Sequence, residues 1–238
     1  MTGAVRLVEV FSSIQGEGPY LGERQVFVRL GGCNLLCDYC DEPDTIPLKS
    51  GVLREAAAVK AAVLKAAKGK PHPTVSWTGG EPLLQARPLA ALMRWARGQG
   101  FKNYLETNGV LPKAFLEVRA VTDVAAVDLK LPSAAGKPRW KAHAEFLRLV
   151  PAGSFVKVVL TEATTDAEVT EAVRVTAENA PRLPFVFQPA TAVPSARGDG
   201  RMVVPPSAAR LRGFVEAAKE RLADVRIVPQ WHTIWGLP

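Results

Sequence analysis

Long apolar runs are absent from this sequence. No stretch of its 238 residues reaches membrane-spanning length, which excludes a transmembrane helix as an expectation. The opening MTGAVRLVEV lacks the basic and apolar regions of a secretory leader, so the expected location is the cytoplasm. Cysteine is scarce, with three residues, and an odd trio without a leader argues against a disulfide framework. Histidine is equally rare: His72, His143 and His232 lie far apart and form no metal-ligand spacing among themselves. Charge of one sign is not concentrated anywhere. The 30 Lys and Arg against 23 Asp and Glu leave a net charge of +7, yet the basic residues are scattered, as in Lys60, Lys65, Lys68, Lys70, Arg94 and Arg97. That scatter reads as solvated helix faces, with no aromatic-interleaved stripe for nucleic acid and no membrane partner. Internal repeats and domain linkers are missing too. With 47% hydrophobic residues, the chain is expected to form one domain over 1–238 with a sizeable core.

What is present is concentrated. Residues 29–41 read RLGGCNLLCDYCD and contain every cysteine of the chain, Cys33, Cys37 and Cys40, in a C-x3-C-x2-C run. A structural zinc site takes four protein ligands, often as two separated pairs, and no second pair exists here. An iron–sulfur cube takes one thiolate per iron, so three cysteines leave one iron open to a further ligand. Three buried thiols, or a Cys3His zinc site completed by a distant histidine, are the competing readings. Clustering on a Gly- and Asp-rich loop favours the cube over either.

Around that loop, strand-like and helical stretches alternate. Val5–Phe11, Gln25–Leu30, Thr74–Trp77, Tyr104–Glu106, Val124–Leu129, Ser154–Leu160, Phe185–Gln188 and Val225–Val228 are apolar and β-branched enough to be strands. Leu53–Lys68, a stretch with Pro88 in its first turn, a short segment from Lys113, a stretch through His143, one opened by the Thr165/Glu168 capping box, and one marked by Leu211 to Leu222 read as helices. Segment 12–25, the Pro/Gly-rich 189–206 and the tail PQWHTIWGLP read as irregular. Regular β-then-α alternation predicts parallel strands. Polar motifs fall just after strand ends: CNLLCDYC, TGGEP, ETNG, DLKLPS and QPAT. That end of a parallel sheet is where active sites assemble, in barrels and open sheets alike, and the alternation does not choose between the two.

The cysteine spacing, with Tyr39 just before the last cysteine and the strand-like FVRLGG ahead of it, resembles the cluster loop of the radical S-adenosylmethionine (SAM) superfamily. The resemblance implies an α/β partial TIM-like barrel and a 4Fe–4S cluster held by Cys33, Cys37 and Cys40. Taken alone, Thr78-Gly79-Gly80-Glu81-Pro82 is a tight turn before a helix. Beside the cysteine loop it is similar to the GGE motif that holds the SAM amino group. The same likeness implies SAM contacts from Tyr39, Asp41, Gly80, Glu81, Asp128, Leu129, Lys130, Ser133 and Gln188.

The opening FSSIQGEGPYLGERQVFVRLGGC, with TGGEPLLQ, ETNG and PQWH, is similar to one branch, the 7-carboxy-7-deazaguanine synthases of queuosine-type deazapurine biosynthesis. That likeness implies a lyase acting on 6-carboxy-5,6,7,8-tetrahydropterin through a 5′-deoxyadenosyl radical, with loss of ammonia. It implies substrate contacts from Ile14, Gln15, Gly16, Glu17, Arg29, Thr78, Gln230, His232 and a terminal Pro238. Arg29 offers a planar fork to a carboxylate; Glu17 and His232 are the acid–base candidates. Family members carry Ser or Thr two residues after the last cysteine as a Mg²⁺ ligand, and this chain has Glu42 there, a hard oxygen ligand on a longer stem. An electron donor such as flavodoxin or ferredoxin and a homodimer are the expected partners. A glycyl-radical activase shares the cluster loop, and a non-enzymatic electron carrier or zinc module is the remaining alternative.

Overall fold

The computed structural model describes residues 3–69 and 74–237. Eleven strands are assigned among them: β1 (Val5–Ile14), β2 (Arg24–Leu30), β3 (Val52–Arg54), β4 (Thr74–Gly79), β5 (Lys102–Thr107), β6 (Val124–Asp128), β7 (Phe155–Leu160), β8 (Phe185–Pro189), β9 (Val193–Pro194), β10 (Met202–Val203) and β11 (Val225–Ile227). The helices are α1 (Ala56–Ala67), α2 (Ala86–Gly98), α3 (Pro112–Val118), α4 (Pro132–Ala135), α5 (Trp140–Leu147), α6 (Asp166–Asn179), α7 (Ala208–Lys219) and α8 (Trp231–Trp235).

Nine strands form one open sheet in the order β11-β8-β7-β6-β5-β4-β2-β1-β3. From β2 to β11 every pairing is parallel, and each new strand is laid beside its predecessor. A sheet wound steadily in one direction keeps its helices on one face and leaves the other concave. It does not close, since β11 and β3 are free edges; the sheet is a partial barrel.

The all-parallel expectation fails at one edge. β1 pairs antiparallel with β2, and β3 antiparallel with β1. β1 also runs on to Ile14, so Ser12 to Ile14 belong to a strand and not to the loop. Its register sets Phe11 opposite Phe27, and the two rings stack at 5.2 Å. β3 occupies the start of the expected Leu53–Lys68 helix, which begins at Ala56. The 189–206 segment contains the β9–β10 hairpin, and the tail folds into α8.

Alternation along each strand divides the side chains between two environments. The odd residues of β5 (Asn103, Leu105, Thr107) and even residues of β7 (Val156, Val158, Leu160) face the helices; Leu105, Val156, Val158 and Leu160 join a core with Trp77, Leu89, Met93, Phe115 and Phe146. Trp77 is fully buried and donates its indole N–H to Asn103 Oδ1 at 2.8 Å. On the concave face a smaller cluster of Tyr104, Val124, Ala126, Phe155 and Val186, with Tyr20 packed on it, plugs one end. Tyr20 donates to the Gly153 carbonyl at 2.7 Å, which anchors that plug. The C-terminal halves of the same strands stay open above it.

Candidate active site

Over the plug, the concave face carries polar side chains on successive strands: Gln25 and Arg29 (β2), Ser76 and Thr78 (β4), Glu106 (β5), Asp128 (β6), Lys157 (β7) and Gln188 (β8). Most of them line a cavity of about 380 Å³, roofed by the cysteine loop on one side and by the 15–17 segment and α8 on another. Cys33, Cys37 and Cys40 all line it, with Tyr39, Asp41, Gly80, Lys130 and Gln230.

The cysteine loop is tied down by backbone bonds. Gly32 and Cys33 donate to the Thr45 and Ile46 carbonyls at 2.8 and 3.0 Å, and Asp38 donates to Ala134 O at 3.2 Å. The GG turn docks against it: Gly80 N–H reaches Leu30 O at 3.0 Å and Glu81 N–H reaches Gly32 O at 2.8 Å. No side chain fits at Gly79, which has φ +119° and whose Cβ would stand 2.0 Å from Leu30 O. Burial raises all three thiol pKa values, Cys40 to about 11, although the Lys130 ammonium pulls the other way. Metal binding here must therefore expel protons.

Two buried cations hold the carboxylates in place. Lys130 Nζ lies 2.8 Å from Asp128 Oδ2 and 5.0 Å from the centre of the Tyr39 ring. Lys157 Nζ pairs with Glu17 Oε2 and stands 3.4 Å from Asp128 Oδ2. Burial opposes both charges, but the adjacent carboxylates win and push both lysine pKa values up. Glu17 Oε1 accepts from Gln188 Nε2 at 3.0 Å and Gln230 Nε2 at 3.2 Å. Glu106 accepts from Gln15 Nε2 at 3.1 Å and Thr78 Oγ1 at 2.6 Å. α8 reaches this set because Gly16 has no side chain: a Cβ there would lie 2.6 Å from His232 Cβ, and Trp231 N–H donates to Gly16 O at 3.0 Å.

Ile14, Gln15, Gly16, Glu17, Arg29, Thr78, Asp128, Gln188, Gln230 and His232 line the cavity as well, so most of the sequence-selected residues converge. Three do not. The Glu81 side chain is fully buried and turned into the protein, where Leu83 N–H, Asn108 N–H and Thr107 Oγ–H occupy both oxygens. Burial raises its pKa to about 7 against those hydrogen bonds, and the expected carboxylate contact to a ligand ammonium does not fit this position. Leu129 is buried in the helix-side core. Ser133 sits on α4 with its N–H on Glu168. Pro238 lies outside the described residues.

Glu42 is also not a free ligand. Its Oε1 lies 2.6 Å from Arg29 Nη1, while Arg29 Nε meets Glu9 Oε1 at 2.8 Å. Of the described histidines, His143 lies outside the cavity, fully buried, and donates through Nε2 to Asn108 O at 3.1 Å. Glu106 and Lys157 are the site residues that motif reading missed. For Lys157 the signal was period-two: a charged residue on the inward phase of an otherwise apolar strand.

The Radical SAM superfamily profile matches residues 27–161. The 7-carboxy-7-deazaguanine synthase of Geobacter sulfurreducens is 38% identical, covering 97% of this chain and 96% of the relative. That of Methanopyrus kandleri is 33% identical, covering 98% and 94%. The crystal structure of QueE from Escherichia coli superposes with a TM-score of 0.63 at 19% identity, over 96% of this chain and 95% of that one, which supports the fold. With both the family profile and near-full-length relatives in agreement, the chain belongs to the radical SAM superfamily and, within it, to the 7-carboxy-7-deazaguanine synthase family.

Proposed function

We propose that the chain converts 6-carboxy-5,6,7,8-tetrahydropterin to 7-carboxy-7-deazaguanine with loss of ammonia. The observation that carries this reading is the near-full-length likeness to synthases of that name, on a chain whose cavity has three thiols on one wall and paired polar groups on the facing one. Superfamily membership brings a 4Fe–4S cluster and SAM, which together supply one-electron chemistry when bound. The residues fit both groups. Cys33, Cys37 and Cys40 offer three thiolates on a loop whose backbone is otherwise satisfied. Asp128 Oδ1 is buried without a hydrogen-bond partner on a residue that lines the cavity, as an acceptor for a polar cofactor would be. Gly80 lines the cavity without a side chain, and Asp128 and Lys130 would hold the cofactor beside the loop.

The opposite wall takes the pterin. Gln15, fixed through Glu106, positions the Glu17 backbone, whose N–H its Oε1 accepts, and Thr78 supports the same Glu106 carboxylate. Arg29 takes the substrate carboxylate, with Glu42 the partner that yields, because Glu9 can keep the guanidinium's other side. Lys157 pairs with Glu17 and fixes it on this wall. These residues orient one C–H and exclude water. Before substrate arrives Glu42 Oε1 is paired with the Arg29 guanidinium, and no step is assigned to a Mg²⁺ ion there. An acidic one-electron carrier such as flavodoxin or ferredoxin, a second copy of the chain and a cytoplasmic setting complete the proposal.

The test is anaerobic reconstitution followed by incubation with SAM, a reductant and the carboxypterin. Formation of the deazaguanine acid is expected. An intact cluster that cleaves SAM but yields no deazaguanine acid overturns the substrate assignment.

A further inference from the structure

Three metal-ligating side chains from three separate segments meet at one edge of the cavity. Glu17 comes from the loop after β1, Asp41 from the residue after the last cysteine, and His232 from α8. One ligand atom from each lies within 4.8 Å of the others. Atoms bonded to one ion at about 2.2 Å stand about 3 to 4.4 Å apart, so small side-chain shifts close the set on a cation. We propose that Glu17, Asp41 and His232 form a divalent-cation site of this chain, replacing position 42 as the place where the metal is held.

Two further observations point at a ligand here. The Gln230 amide nitrogen donates to Glu17 Oε1 at 3.2 Å and to Asp41 Oδ2 at 3.0 Å, so a single donor bridges the two carboxylates as a cation would. Gln188 is 1% exposed and gives its amide nitrogen to Glu17, which leaves its Oε1 buried beside that carboxylate with no partner. An orphaned amide oxygen is a hard ligand that costs free energy until it meets a donor or a cation.

The charge balance agrees. Glu17, Asp41, Glu42, Glu106 and Asp128 line the cavity against the fixed cations Arg29, Lys130 and Lys157. A carboxylate substrate, as in the function proposed above on which this inference rests, deepens the deficit; a divalent ion offsets it. Lys157 does not block the site, because it retains Asp128 at 3.4 Å when Glu17 turns to the metal. Two carboxylates, an amide oxygen and one imidazole suit Mn²⁺ better than Mg²⁺, which seldom gives up water for nitrogen. The ion would also pin α8, which buries no residue of its own, to the cysteine loop and the substrate segment.

The experiment uses the full chain with its cluster, purified without oxygen, and titrates Mn²⁺ in the absence of SAM and pterin. Loss of the free Mn²⁺ paramagnetic signal counts bound ion, and tryptophan fluorescence reports on Trp231 beside His232. One bound equivalent with quenched fluorescence is expected. Asp41→Asn and His232→Gln should each weaken binding about tenfold or more, with cluster absorbance unchanged, while Glu42→Ala still binds. The site is overturned if the native chain takes up no ion, if neither variant weakens binding, or if Glu42→Ala alone abolishes it. Because no turnover is involved, Mn²⁺ uptake without product formation would refute the pterin assignment and leave the metal site standing; product formation without uptake would do the reverse.

Discussion

Strand β7 reads Phe155, Val156, Lys157, Val158, Val159, Leu160, and neighbouring residues meet opposite surroundings. Val156, Val158 and Leu160 lie in the main core under the helices. Phe155 plugs the concave face, and Lys157 stands above it between the Glu17 and Asp128 carboxylates. The helix face is held by shape and area, so its contributions are local and additive when sites are far apart. The concave face is held by charge pairs in a low-dielectric setting, where removing one member exposes the cost of the others. One sheet thus keeps stability on one side and chemistry on the other.

The sharpest way to break this division is at the cysteines. Replacing Cys33, Cys37 or Cys40 by Ser should remove bound iron and turnover entirely, with the far-ultraviolet circular dichroism of the fold retained. Iron and sulfide quantification checks it, and full iron content in any one variant would contradict the three-thiolate assignment. On the helix face, Trp77→Ala should cost about 3–5 kcal/mol of unfolding free energy in a denaturant titration, while pterin affinity in the surviving folded fraction stays near native.

On the concave face, Lys157→Met should destabilise by about 3 kcal/mol, because Glu17 and Asp128 lose a shared cation. Adding Glu17→Gln should restore part of that loss, a non-additivity absent for Trp77→Ala. Equal and additive costs would erase the proposed difference between the faces. A pH series sharpens the comparison from the helix side. Burial depresses the His143 pKa to about 4, against the hydrogen bond to Asn108 O. The unfolded chain binds that proton first, so stability is full above pH ~6.5 and falls by about 3 kcal/mol as pH drops to about 4. His143→Gln should flatten that slope. The smallest effect belongs to α6, where Thr165 Oγ accepts Glu168 N–H at 3.3 Å and Glu168 returns a bond to Thr165 N–H at 2.8 Å. Thr165→Ala should cost about 1 kcal/mol, with no change in turnover.

How much was legible follows the range of the interaction involved. The Thr165/Glu168 cap, the helices around Leu89 and Phe214, and the inward position of the cysteine loop rest on residues a few positions apart, and their signals survive in a one-dimensional reading. The antiparallel β1–β2 edge did not, because a strand followed by a polar loop looks the same whichever way its partner runs. Glu42 shows the same limit: its place two residues after the last cysteine made it a metal candidate, and only the folded β2 showed Arg29 holding its oxygen.

Residue order alone determined the strand–helix alternation, the thiol trio and the polar groups that follow strand ends, since each depends on local spacing and side-chain chemistry. The tertiary structure decided which carboxylates face the cavity and which are spent inside the protein. Glu81 turned inward to backbone donors, whereas Glu17, Asp41 and His232, separated by up to 215 positions, came within one ion's reach. The physical reason is that the energy of a charge is set by what surrounds it in space, and a sheet that curves brings together residues that the chain keeps apart.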